Sequence, residues 1–126
     1  MPFEYELIQW LSEQPELKSI PVASQPPAER PNRFITVERT GGSQDALADN
    51  PRLAVQCWAR REVEAAWMSE LLMSIVFPRV YELPDVAKFT VGSAYPYPLD
   101  ETQSRYQLTV SAVVQKAFRT PMPSMD

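Results

Sequence analysis

Few residues in this chain have the chemistry or the spacing to catalyse anything. Nucleophilic catalysis needs an activated Ser, Thr or Cys beside a base. The one thiol, Cys57, has no histidine to work with, because the sequence contains none. It falls instead in an apolar alternation, Leu53, Val55, Cys57, and reads as a small core residue. Carboxylates come in two groups, Asp45 with Asp49 and Asp100 with Glu101. Neither follows the calcium-loop pattern of alternating acids, a glycine and a closing glutamate, so both read as solvated loop acids. Gly41-Gly42 lacks the longer glycine spacing and the Lys-Ser/Thr that make a phosphate cradle, and reads as turn chemistry. The sixteen acids single out no pair for glycoside chemistry. Arg30, Arg33, Arg39, Arg52, Arg60 and Arg61 are scattered, with no basic run and no interleaved aromatic platform. The expectation is a non-enzyme with no cofactor and no bound metal.

Composition narrows the class further. A chain of 126 residues is one domain by length and buries roughly two-thirds of its unfolded surface. Its 44% hydrophobic and 22% charged content is that of an ordinary globular protein. The formal charge of −4 argues against a sequence-general nucleic-acid binder. A single cysteine excludes an intramolecular disulfide and suits a reducing compartment. The opening MPFEYELIQW is not the basic-then-apolar pattern of a signal peptide, and no apolar run nears the ~20 residues that span a bilayer. A soluble protein, cytosolic when made and without a membrane partner, is expected. Thirteen prolines against three glycines imply fixed, extended connections.

The elements follow from periodicity. Residues 3–13 read as a short amphipathic helix with Phe3, Leu7 and Leu11 on one face and acids in its first turn, stopped by Pro15. Such a short helix must dock, most simply on its own sheet. Residues 14–33 form a proline-rich connector with a brief edge strand over 19–24. Residues 34–40 and 53–59 alternate as two strands of one antiparallel pair, separated by a polar loop, GGSQDALADNP, longer than a hairpin requires. Residues 60–77 form the main helix, ended by Pro78. Ala65, Met68, Leu72 and Ile75 make one apolar stripe and Val63, Trp67 and Leu71 another. That arc is wide enough for a sheet and a partner, with Trp67 read as core. Residues 85–95 and 106–116 are further strands around a second polar loop, PYPLDETQS, and residues 118–126 form a Pro/Met tail with no periodicity. The fold class is thus α+β in one domain spanning 1–126. It is a mostly antiparallel sheet of four to five strands with helices on one face, in the order α-β-β-β-α-β-β.

Phe34-Ile-Thr-Val-Glu-Arg-Thr-Gly-Gly42, Pro51-Arg-Leu-Ala-Val-Gln-Cys-Trp-Ala59, Val91-Gly-Ser93 with Tyr95, and Arg105-Tyr-Gln-Leu-Thr-Val110, after an upstream Pro-Ala-Glu-Arg-Pro31, appear in one order over residues 27–115. Together they resemble the tail terminator proteins of long-tailed bacteriophages, especially those of actinobacterial hosts and prophages. The resemblance implies a structural virion protein of the tail and neck, assembled in the host cytoplasm. It implies a homo-oligomeric ring, usually a hexamer, that caps the completed tail tube. Its partners would be the tail-tube protein, the head-tail connector or stopper protein, and double-stranded DNA passing through the lumen without specific binding. The family brings no cofactor and no catalytic residue. On this reading the two loops and the tail supply the contacts: Gly41, Gly42, Ser43, Gln44, Asp45, Asp49 and Asn50 in the first, Tyr97, Asp100 and Glu101 in the second, Met122 and Met125 at the end. The acids of either loop are expected to line the channel or face an axial neighbour. Two rival readings remain: another neck or tail component, either a head-closure protein or a tail-tube subunit, and a small ligand-binding α+β domain with a pocket between helix and sheet.

Overall fold

The computed structural model describes residues 2–97 and 103–116. Its α+β architecture is one five-stranded sheet with two helices on one face. The elements are α1 (Phe3–Ser12), β1 (Val22–Ala23), β2 (Arg33–Gln44), β3 (Ala48–Ala59), α2 (Glu62–Leu71), β4 (Val86–Pro96) and β5 (Ser104–Gln115). Their sequence order is the expected one. In the sheet the order is β1-β2-β3-β5-β4. Only β1 runs parallel to its neighbour, with Val22 opposite Ile35, and the other pairs are antiparallel.

Strand alternation sorts the side chains to two faces. Ile35, Val37, Leu53, Val55, Cys57, Leu108 and Val110 point to the helices and are almost fully buried. Thr36, Gln56, Gln107 and Thr109 point to the open face. The helix α1 docks on its own sheet, as its length requires, through Phe3, Leu7, Trp10 and Leu11. Its Trp10 indole donates to Glu82 Oε1 at 3.2 Å, which ties the two helical segments together.

Two expectations are corrected by the backbone. The first is the long loop between the hairpin strands. β2 runs on to Gln44 and β3 starts at Ala48, with Gly41 opposite Arg52, Ser43 opposite Asn50 and Gln44 opposite Asp49. Only residues 45–47 turn the chain. Ladder pairing uses backbone groups, so polar side chains do not end it. The glycine pair is not the turn. It follows a register shift between Arg39 and Gly41, and Gly42 has φ of 103°, as a bulge glycine does. A Cβ on Gly42 would lie 2.1 Å from the Asn50 carbonyl oxygen. The turn itself is closed by Asp45, whose Oδ1 accepts the N–H groups of Leu47 and Ala48 at 2.8 and 2.9 Å.

The second correction concerns the main helix. It is not one α-helix ended by Pro78. The α segment passes into a π turn at Leu72–Val76 and then a 3-10 run at Phe77–Glu82. Pro78 sits in the first turn of that run, where its missing N–H is not needed. The wider π turn shifts the helical phase. The inward positions become Ala65, Met68, Leu72 and Val76, while Ile75 turns outward at 49% exposure. Trp67 is also outside the core, at 52%.

Candidate interaction surfaces

The distal end of the β2–β3 hairpin holds most of the sequence-predicted contact residues. Gly41, Gly42, Ser43, Gln44 and Asn50 lie in the ladder, and Asp45 is engaged in closing the turn. Asp49 is not a solvated loop acid. It is 9% exposed, and its two carboxylate oxygens accept from the Arg39 guanidinium at 2.8 Å each. This bidentate bond holds the Asp49 carboxyl below its usual range and the Arg39 guanidinium above its own. The turn hydrogen bonds likewise lower Asp45. Asp49 is therefore a structural anchor at a strand end. Tyr97 is 36% exposed, packs near Tyr95 and lies under Arg105 at 4.2 Å. Asp100, Glu101, Met122 and Met125 lie outside the described residues.

A row of side chains crosses four strands on the open sheet face. Trp58 Nε1 donates to Thr36 Oγ1 at 3.0 Å, and the Thr36 hydroxyl donates to Gln56 Oε1 at 3.0 Å. Gln56 Nε2 donates to Gln107 Oε1 at 2.8 Å, and Gln107 Nε2 donates to the Tyr95 hydroxyl at 2.7 Å. Trp58 itself stacks on Phe34 with ring centroids 5.3 Å apart, and Arg105 lies over it at 4.5 Å. Further along this face is a recess of about 310 Å³. Its walls include Ser43, Arg52, Lys88, Thr90 and Ser111, and its lining contains no acid.

The opposite side of the molecule offers a different surface. Val63, Trp67 and Ile75 stand at 61%, 52% and 49% exposure along the outer side of the helical run, with Leu71 half-buried between them. The spacing of four keeps Val63, Trp67 and Leu71 on one face, and the π turn brings Ile75 round to join them, over a length of about 18 Å. Arg33 lies over Trp67 at 6.0 Å and pairs with Glu64. This stripe was absent from the predicted contact residues. Its signal was the unusual width of the apolar arc, which exceeds what one sheet can cover.

Cys57 is fully buried, and burial alone pushes its thiol far above the usual range. Among the described residues no group of His, Cys, Asp or Glu side chains is placed to hold a metal ion, and no helix is long and apolar enough to cross a membrane. Comparison with protein-family models and with curated proteins finds no match to this chain.

Proposed function

We propose that this chain is a structural virion protein that assembles into a ring, a hexamer by the family resemblance, on the completed tail tube of a long-tailed bacteriophage. The ring joins the tube to the head-tail connector and lets double-stranded DNA pass through its centre without specific binding. It acts as a scaffold rather than an enzyme and works within the virion, after assembly in the host cytoplasm. The observation that carries an assembly role is the apolar stripe of Val63, Trp67 and Ile75, exposed in the isolated subunit. Large exposed apolar side chains in a row mark a protein interface. The ordered motifs over residues 27–115 supply the kind of assembly.

Native mass spectrometry of the purified chain tests this reading, with electron microscopy of the same sample. A closed ring with a central channel, binding to the end of isolated tail tubes, is expected. Long open tubes would favour a tail-tube subunit, and binding to the connector alone would favour a head-closure protein. A monomer at all concentrations that binds neither tube nor connector would end the proposal.

A further inference from the structure

We infer that the outer stripe of α2 in one subunit seats on the open sheet face of the next, with Trp67 and Glu70 meeting the recess bordered by Arg52 and Lys88. The occupant is a second copy of this chain, and this inference rests on the ring reading above. Three observations carry it. First, shape: the stripe is convex and apolar, and Trp67 at 52% exposure is its largest side chain. The recess of about 310 Å³ is concave, with Val113 and Pro51 among its lining, and has room for one large side chain.

Second, charge: among the described residues Glu70 has no cationic partner, and neither Arg52 nor Lys88 has a carboxylate partner. Glu70 is exposed one helical turn from Trp67. The other cations near the stripe do not cancel it. Arg33 and Arg79 are paired with Glu64 and Glu16, and Arg60 and Arg61 precede the first turn of α2. Third, placement: α2 packs inward through Ala65 and Met68 on the helical face, whereas Arg52 and Ser111, paired across β3 and β5, share the open face. Knob and hole are on opposite sides of the subunit. Such a contact is heterologous, and a heterologous contact propagates around a ring if its rotation closes. Tryptophan in a desolvated pocket, ringed by charge pairs, is the composition of an interface hot spot.

Complementing variants test it. Trp67→Ser and the double variant Arg52→Glu/Lys88→Glu each change exposed positions, and circular dichroism checks that both fold. Should either fail to fold, Trp67→Ala and Arg52→Gln/Lys88→Gln take their place. Each variant alone is expected to lose the wild-type oligomer and run as a monomer in native mass spectrometry. Mixed one to one, they are expected to form a heterodimer and nothing larger, because each keeps one intact patch. Glu70→Lys is expected to weaken assembly at least tenfold at low salt. A full-size oligomer from either variant places the interface elsewhere and leaves the ring reading standing. Monomers that stay monomers on mixing overturn the pairing of these two patches. A wild-type chain that never assembles overturns both the pairing and the ring.

Discussion

The distal hairpin and the outer face of α2 make opposite use of their composition. Apart from the exposed Leu47 in its turn, the hairpin end is polar, with Ser43, Gln44, Asp45, Asp49 and Asn50, yet its backbone is paired to the turn, and Asp45 and Asp49 are held by partners within the chain. The outer face of α2 is apolar and open to water. Hairpin polarity is thus largely met within the chain, whereas the apolar area of the stripe is not. The first region has satisfied most of its own needs, and the second has not.

If that contrast is correct, substitutions in the hairpin reduce stability and those on the stripe reduce assembly. The largest loss in stability is expected from Gly42→Ala, where a positive φ coincides with a Cβ position 2.1 Å from the Asn50 oxygen. Urea denaturation is expected to show a loss of about 3 kcal/mol. A loss under ~1 kcal/mol would mean the bulge relaxes easily and the hairpin end is less fixed than its ladder implies.

Asp49→Ala comes next, at about 2 kcal/mol near neutral pH, because it strands a half-buried guanidinium. The pH dependence has a definite sign. Asp49 is depressed when folded, so its contribution is present above the ordinary carboxylate value of 3.8 and is lost as pH falls through the lower folded value. The stability gap between wild type and Asp49→Asn is expected to be full at pH 6 and to close in that acid window. A gap independent of pH would assign the effect to packing instead.

The smallest loss belongs to Trp67→Ser. At a dilution where the chain is monomeric, stability is expected to stay within ~0.5 kcal/mol of wild type, while the oligomer seen at high concentration disappears. A drop of several kcal/mol would return Trp67 to the core, as its residue type suggests, and remove the contrast.

The fold was largely legible in the sequence. Ile35 and Val37, Leu53 to Cys57, and Leu108 to Val114 carry period-two patterns that fix strands and faces, and Phe3, Leu7 and Leu11 do the same for α1. What escaped reading had physical reasons. The hairpin strands extend past their apolar part because ladder bonding is indifferent to side-chain type, so residues 41–44 and 48–51 read as loop. The π turn has no composition signature, and it alone decides that Val76 faces in and Ile75 out. The Arg39–Asp49 pair joins strands ten residues apart, which sequence spacing does not show until the register is known. Sequence reading places the contacts where glycines and acids cluster, whereas exposed apolar side chains stand both at the hairpin turn, as Leu47, and along the outer side of α2.

The row from Trp58 through Thr36, Gln56 and Gln107 to Tyr95 has a mechanical consequence. Each amide in it gives with its nitrogen and receives with its oxygen, so from Thr36 onward donation runs one way across four strands. A network whose donors and acceptors are already turned toward each other stiffens the strands that carry it. The middle of the open sheet is thus a braced polar surface, with the Arg105 guanidinium over Trp58 on one side and the cationic recess at its end.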